Sequence, residues 1–278
     1  MSTSPRRAAA LVPGLALLCG LLALVAFLSV TLGSRSIGLP DVLRALGDLR
    51  DADGSITSTV TLELRVPRTL LGVLAGAALG VAGAILQGVT RNPLADAGIM
   101  GVNSGAAAFV VLAITVLGVR GAGVYVWFAF AGAVVALVLV YAIASLGREG
   151  ATPVKLALAG AAVTAGLVSV TTGIMMTHVD ALDELRFWQV GSLAGRYAPV
   201  LTGVAPFLVV GLVAALGFGR ALNGLALGED LARGLGQRVG RTRAVAFAVV
   251  AVLAGAATAA CGPIVFVGLV VPHVARFF

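Results

Sequence analysis

Charged side chains are scarce in this chain of 278 residues. They make up 11% of the sequence, whereas hydrophobic residues make up 59%. Soluble domains carry about 25% charged residues, which they need to cover a water-facing surface. The composition therefore excludes an ordinary soluble enzyme or binding module and places most of the chain in an apolar environment.

Cysteine, histidine and lysine are also rare, and each scarcity excludes a kind of site. Cys19 and Cys261 both lie within apolar runs, so we expect small buried side chains and neither a disulfide nor a metal ligand. The two histidines stand alone, which is more typical of packing than of metal binding. The single lysine, Lys155, follows a valine, so the G-x-x-x-x-G-K-[ST] loop that binds ATP phosphates is missing. We expect this chain to bind no cofactor of its own.

Long uncharged runs are what the sequence has instead. A helix needs ~20 mainly apolar residues to cross a bilayer, and the runs lack the alternation of β-barrel strands. The first run is too long for the apolar core of a signal peptide, so we interpret it as an uncleaved span. The pattern predicts an all-α polytopic membrane protein, a single transmembrane domain over 1–278 with eight helices at about 8–32, 69–90, 98–118, 122–146, 155–177, 198–218, 244–260 and 263–277.

The placement of arginine and lysine predicts the orientation of these spans. With the N-terminus inside, eleven basic residues lie on the inner face and eight on the outer face, and most of the acids lie outside. The net charge of +7 then collects on the inner face, as the positive-inside rule requires. The basic balance is thereby explained without a nucleic-acid partner.

Acidic residues are missing from the predicted spans, which bears on how transport would be driven. Carriers driven by protons or sodium usually hold ionisable groups within the membrane. A membrane-embedded enzyme would need a metal site, a nucleophile or paired carboxylates, and the spans contain no such constellation. The alternative of a secondary carrier or passive channel is disfavoured, and a transporter energised by ATP on another chain fits the sequence better.

Three polar segments are long enough to have structure of their own. The outer loop 33–67 contains LPDVLRALGDL, whose apolar spacing predicts a short surface helix. The outer segment 178–196 carries Phe187 and Trp188, which we expect at the membrane interface. Glycines divide the inner segment 220–243 into short helical pieces with an apolar side. That side packs either on the chain's own bundle or on a cytoplasmic protein, and the length of the segment favours a docking role.

Two further patterns concern the second predicted span. Gly72, Gly76 and Gly80 recur at four-residue spacing, which lets helix backbones approach closely in a membrane. The polar stretch TRNPLADAGIM (90–100) follows the same span, and its Pro93 fixes φ and forces a defined corner.

Several long stretches closely resemble the FecCD family, the membrane permeases of type II ABC importers. They are LRVPRTLLGVLAGAALGVAGAILQGVTRNPLADAGIMGVNSGAA (64–107), FWQVGSLAG (187–195), LALGEDLARGLGQRV (225–239) and CGPIVFVGLVVPHVAR (261–276). The resemblance implies a ten-helix permease fold, of which about eight transmembrane helices are present here. A fragment and a natural truncation are both compatible with that difference.

The resemblance also implies a function and its partners. Family members import ferric siderophores, haem or cobalamin across the cytoplasmic membrane of prokaryotes by alternating access. They work as homodimers or heterodimers with two ABC ATPase subunits, which hold ATP and Mg, and with an external substrate-binding protein. A ferric siderophore is the substrate we expect, from its frequency in the family.

The resemblance to the family also implies functional roles for particular residues of this sequence. Asn92 and Leu94 match a cytoplasmic gate; Thr152 is a weaker match, since Pro153 departs from the small hydroxyl residues common there. Arg65 and Arg68 match arginines that pair with glutamates of the binding protein, although both suit a second role as snorkelling membrane anchors. The segment that couples to the ATPase is matched by Leu227, Gly228, Glu229, Asp230, Ala232, Leu235 and Gly236.

Overall fold

The computed structural model describes residues 5–33, 37–47, 55–119, 122–147, 150–178, 185–186 and 188–276; Phe187 lies outside them. Within these ranges the chain is helical and no strand occurs, which confirms the predicted all-α class. The helices are α1 (Pro5–Thr31), α2 (Leu39–Gly47), α3 (Ile56–Thr59), α4 (Val66–Thr90), α5 (Val102–Leu117), α6 (Ala122–Ala144), α7 (Pro153–Thr177), α8 (Ala198–Leu216), α9 (Gly219–Ala226), α10 (Glu229–Gly234), α11 (Val239–Cys261) and α12 (Val267–Ala275).

Helix α11 lies at the centre of the bundle. It packs against α4, α6 and α8, and most of its side chains from Ala246 to Cys261 are buried. Many of these side chains are alanine or glycine, which allow the close van der Waals packing that holds helices together where lipid removes the hydrophobic driving force. The helices α1, α7 and α8 lie further out and leave most of their surface exposed.

Six of the described helices are long and apolar enough to cross a membrane. A seventh apolar helix, α5, has only 16 residues, because the chain between Thr90 and Gly101 forms turns instead of continuing the span predicted from residue 98. Multi-pass membrane architecture is therefore confirmed, although the helices differ in length more than the hydropathy pattern indicates.

The last predicted span, 263–277, differs most from the structure. The chain leaves the helical conformation after Cys261, with positive φ at Gly262 (77°) and Phe266 (70°). The helix that follows, α12, has nine residues, which is about 14 Å at 1.5 Å per residue, whereas a bilayer core is about 30 Å thick. An apolar composition made this segment resemble a span, and backbone breaks that hydropathy does not register shorten it.

The second predicted span begins earlier than residue 69. The chain is helical without interruption from Ile56 to Thr90, 35 residues, so part of the predicted outer loop 33–67 belongs to this helix. The six residues Val60–Arg65 form a π-helical turn that ends two positions before Pro67. Because proline has no N–H to donate, this wider turn accommodates Pro67 without ending the helix. The remainder of the loop contains α2.

The glycines predicted to pack α4 meet different surroundings. A Cβ built on Gly72 would lie 3.1 Å from Cδ1 of Leu193, and one on Gly80 would lie 3.0 Å from Cγ1 of Val271. In the described part of the chain nothing lies within 4 Å of a Cβ on Gly76, so the chain's own packing does not require that glycine.

The closest backbone approaches involve other glycines. A Cβ on Gly83 would collide with the carbonyl group of Gly268 in α12. A Cβ on Gly105 of α5 would likewise collide with the carbonyl group of Gly132 in α6, and the reverse is also true. These two seams fix how α12 lies on α4 and how α5 lies on α6.

Candidate functional site

The corner at 91–96 is held by local hydrogen bonds. Its first residue, Arg91, adopts a left-handed conformation with φ 50°, which ends α4. The side-chain Oδ1 of Asn92 accepts a hydrogen bond from the N–H of Leu94 at 2.9 Å, and Pro93 between them has a fixed φ. The Leu94 side chain at the tip is 65% exposed. The corner therefore presents an apolar side chain on a stiff turn.

Beyond the corner the chain folds back against α7. Oδ2 of Asp96 accepts a hydrogen bond from the N–H of Gly98 at 3.0 Å, and Gly101, with φ 83°, leads into α5. The carbonyl oxygen of Ile99 lies 2.5 Å from where a Cβ on Gly160 of α7 would stand, so this contact requires glycine at 160.

Thr152, the third predicted gate residue, caps the start of α7. Its hydroxyl accepts a hydrogen bond from the N–H of Lys155 at 3.4 Å, and Pro153 occupies the first helical position, where its missing N–H costs nothing. The chain beyond the corner contacts α7 at Gly160, through Ile99, about 12 Å further along the helix at 1.5 Å per residue. A gate role for Thr152 stays a prediction.

A cavity of about 440 Å³ opens between α5, α7 and the segment that carries Gln189. On α7 the lining residues recur at helical spacing and form one face, most of them threonines. None of the residues that line the cavity is charged; they are Gly98, Asn103, Ser104, Ala107, Thr164, Val168, Thr171, Thr172, Met175, Gln189 and Pro263.

Two of these side chains retain unused hydrogen-bonding capacity. The buried Oγ1 of Thr164 has no hydrogen-bond partner among the residues that the structure describes. Oδ1 of Asn103 accepts from the hydroxyl of Thr258 at 3.3 Å, and its NH₂ group provides two donors of its own. The cavity thus offers neutral donors and acceptors. The sequence signal that indicates it is the threonine face of an otherwise apolar helix.

The predicted docking arginines bind the end of α1. Arg65 is only 4% exposed, and its Nη1 donates to the carbonyl oxygens of Val30 at 3.0 Å and Thr31 at 2.7 Å. Nη2 of Arg68 donates to the carbonyl oxygen of Ser29 at 3.1 Å. Cations near a helix C-terminus satisfy its last carbonyl groups and oppose its dipole. These contacts attach α1, which otherwise packs on little of the bundle.

This geometry gives Arg65 a role inside the chain, where its Nη1 holds the end of α1. A docking role for Arg65 stays a prediction. Arg68 is partly exposed. Both arginines line a cavity of about 170 Å³ together with Arg196, whose buried Nε has no hydrogen-bond partner in the described part of the chain. Desolvation lowers the pKa of the Arg196 guanidinium. Sequence spacing does not link residue 196 to 65 and 68, so this grouping was not predicted.

The predicted coupling segment forms two short helices, α9 and α10, and the last residues of 220–243 belong to α11. Its apolar side chains divide into two sets. Leu225 and Ala232 are buried against the chain's own bundle, whereas Leu227, Leu231 and Leu235 are more than half exposed. The segment therefore packs on its own bundle and still presents an unpartnered apolar surface, which we call the leucine patch (Leu227, Leu231 and Leu235).

Glycines shape the ends of α10. Gly228 precedes the helix with φ 109°, and Gly236 follows it with φ 82°, conformations that other residues rarely adopt. On the exposed side, Asp230 accepts a hydrogen bond from Nη1 of Arg233 at 3.1 Å. Glu229 is the first residue of α10.

Within the described ranges, no group of three or more His, Cys, Asp or Glu side chains is placed to hold a metal ion.

Comparison with known proteins shows the family to which this chain belongs. The model of the FecCD transport family matches residues 21–278. The chain belongs to the FecCD transport family. A FecCD protein is a transport permease, so this chain is a multi-pass membrane permease.

Three relatives of the FecCD chain show how the family varies. It is 46% identical over 268 residues to the ferric enterobactin transport system permease protein FepD of Escherichia coli (strain K12), covering 96% of this chain and 78% of that protein. It is 41% identical over 271 residues to the iron(3+)-hydroxamate import system permease protein FhuB of Bacillus subtilis (strain 168), covering 96% and 68%. It is 42% identical over 219 residues to the cobalamin import system permease protein BtuC of Halobacterium salinarum, covering 77% and 57%.

A solved structure has the same fold. It is described as an inward-facing conformation of a metal-chelate type ABC transporter, and it superposes with a TM-score of 0.78 at 26% identity, covering 97% of this chain and 82% of that one. The similar identities to relatives named for three different substrates show that overall identity does not fix the substrate.

Proposed function

We propose that this FecCD chain is the membrane-spanning subunit of an ATP-driven importer that moves a ferric siderophore across the cytoplasmic membrane, with its N-terminus inside. The observation that carries the proposal is the uncharged polar cavity beside α7. Its neutral donors and acceptors suit the amide, hydroxyl and carbonyl groups that cover a metal chelate. The names of the relatives support iron chelates, and cobalamin remains a substrate for the test to distinguish.

A second permease copy or a paralogue completes the path in this proposal. On α7 the cavity is lined in part by Val168, which is half exposed, so this side of the helix is open in the described part of the chain. A path lined on one side only would be open to lipid, whose hydrocarbon is a poor environment for the chelate's polar groups. Two copies that face each other across α7 would enclose it.

The test of the proposal is uptake by a reconstituted transporter. The transporter, with its ATPase and binding protein, is placed in proteoliposomes and offered radiolabelled iron as catecholate, hydroxamate and citrate chelates, and labelled cobalamin and haem in parallel. We expect uptake of an iron chelate that requires ATP and the ATPase. Uptake of cobalamin or haem alone would contradict the proposal that the substrate is a ferric siderophore. Uptake without the ATPase would support a secondary carrier or channel.

The leucine patch is proposed as the surface that binds the cytoplasmic ATPase. Replacing Leu231 and Leu235 with arginine should lower co-purification of the ATPase about tenfold, because burying a leucine contributes roughly 1.5–3 kcal/mol and an unpaired charge in its place opposes docking. The matched control is Leu117→Arg at the end of α5, which is similarly exposed but far from the segment in sequence. Equal ATPase recovery with the patch variant and the control would contradict this role.

The external binding protein is proposed to dock at the cavity lined by Arg68 and Arg196. Arginine suits bidentate carboxylate recognition, and the side chains of both residues line this cavity. Arg65 contributes indirectly, since it holds the end of α1 at the same place.

A further inference from the structure

A proline in α12 leaves one backbone carbonyl group without its usual donor. In an α-helix the carbonyl oxygen of Gly268 would accept a hydrogen bond from the N–H four residues on, which is residue 272. Residue 272 is proline, which has no N–H. A buried carbonyl without a donor costs free energy, so the structure needs a donor from outside the helix.

Gln87 of α4 supplies that donor. Its Nε2 lies 3.3 Å from the carbonyl oxygen of Gly268 and 3.4 Å from that of Leu269, and the side chain is only 3% exposed. On its other side, Nη2 of Arg276 donates to Oε1 of Gln87 at 2.7 Å. A single amide therefore bridges the start of α12 and the residue that follows its last turn. We call the set Gln87, Gly268 and Arg276 the glutamine bridge.

The glutamine bridge lies next to the corner. Gln87 is four residues before Arg91, so α4 leads from one directly into the other. A Cβ on Gly268 would lie 2.5 Å from Oδ1 of Asp96, the last residue of the corner. Movement of α12 relative to α4 would therefore displace both ends of the corner, through the helix at Gln87 and through Gly268 at Asp96.

We infer that Gln87 is a positioning residue for the corner: it holds α12 against α4 through the carbonyl group freed by Pro272, and thereby keeps Leu94 in its resting place. The inference rests on the proposed importer function and on the predicted role of Asn92 and Leu94, in the corner, as its cytoplasmic gate. Gln87 is not among the residues that line the cavity, so its effect on transport is exerted through α12 and not through the substrate.

Two substitutions separate the two halves of the bridge. Gln87→Met keeps a similar length and removes all three hydrogen bonds, the two that Nε2 donates to α12 and the one that Oε1 accepts from Arg276. Gln87→Glu keeps an acceptor for Arg276, in a stronger charge-assisted pair, but loses the donor to Gly268. Thr90→Val is the matched control: Thr90 is also buried on α4, and among the described residues its hydroxyl bonds only within the helix, to the carbonyl oxygen of Leu86 at 2.7 Å.

The measurement is thiol labelling of a cysteine placed at position 94, in the assembled transporter and in a Cys19→Ser background, since Cys19 is exposed and Cys261 is buried. Without nucleotide, Gln87→Met should raise the labelling rate about tenfold, as expected for loss of a buried hydrogen bond to a charged partner. Gln87→Glu should raise it less, and Thr90→Val should leave it within about twofold. Hydrogen exchange of the α12 amides should rise in Gln87→Met and stay unchanged in Thr90→Val.

The outcomes distinguish this inference from the proposed function. State-dependent labelling in the parent, together with an unchanged rate in Gln87→Met, would overturn the bridge and leave the permease role standing. Labelling that is the same in every nucleotide state of the parent would overturn the gate. In that case the exchange of α12 still decides whether Gln87 holds the helix, and unchanged exchange would show that it does not.

Discussion

Replacing Gly83 with alanine should lower the stability of the chain by about 2–3 kcal/mol, at the upper end of what overpacking usually costs. The reason is the seam between α4 and α12, where a Cβ on Gly83 would collide with the carbonyl group of Gly268. Both contacting groups are backbone, so no side chain can rotate away and the helices must separate. Separation would also stretch the glutamine bridge one turn further along α4.

The same helix provides the control for this prediction. Gly76→Ala introduces the same methyl group where nothing in the described part of the chain lies within 4 Å. Alanine has a helix propensity about 1 kcal/mol better than glycine, so this variant should be neutral or slightly stabilising. The two variants differ in tertiary contact and not in local chemistry.

Thermal unfolding of the purified permease in detergent measures the difference. For a chain of this size each kcal/mol shifts the midpoint by about 2–4 °C, so Gly83→Ala should unfold roughly 5–10 °C below the parent and Gly76→Ala at or above it. Equal midpoints for the two alanine variants would mean that the seam opens at little cost and that α12 is not fixed on α4.

Hydropathy predicts the long helices of this protein because lipid imposes a simple condition on them. Each must present about 20 apolar residues, and the runs that became α6, α7, α8 and α11 meet that condition on composition alone. The condition says nothing about backbone breaks. Gly262 and Phe266, both with positive φ, divide an apolar stretch into the long helix α11 and the short helix α12. A hydropathy profile does not register either break.

Trp188 shows a second limit of prediction from sequence, which concerns where an aromatic side chain lies. Aromatic residues near a predicted span end indicate an interface anchor, yet Trp188 is only 5% exposed and its carbonyl group lies against Gly262. Burial here depends on residues 74 positions apart in sequence. Local rules for tryptophan do not encode such a contact.

The arginines show why a site is harder to predict than a helix. Their sequence position indicates the right end of the bundle, but a guanidinium serves equally well as a surface ligand or as a cap for a neighbouring helix. Arg65 caps α1, and Arg196 joins the same cavity from a distant segment. Which role each arginine takes is decided by tertiary packing.

Replacing both Asn92 and Leu94 with glycine should make the transporter leak its substrate at least about tenfold faster, since a leucine side chain contributes roughly 1.5–3 kcal/mol when it fills an apolar gap. Leu94 is the exposed tip of the corner, and Asn92 fixes its turn by accepting the Leu94 N–H. Folding should survive, because Pro93 and the left-handed Arg91 still set the corner. Leu94→Met, which keeps the apolar width, is the control and should not leak.

The measurement is efflux of preloaded labelled chelate from proteoliposomes without ATP, with the thermal unfolding midpoint taken on the same preparations. A leak in the double glycine variant with an unchanged midpoint would show that the corner closes the transport path. A general loss of packing would lower the midpoint as well. Leak-free vesicles would show that the corner is a structural turn. In that case the Asn92–Leu94 hydrogen bond serves only to return the chain from α4 to α7, where Ile99 meets Gly160.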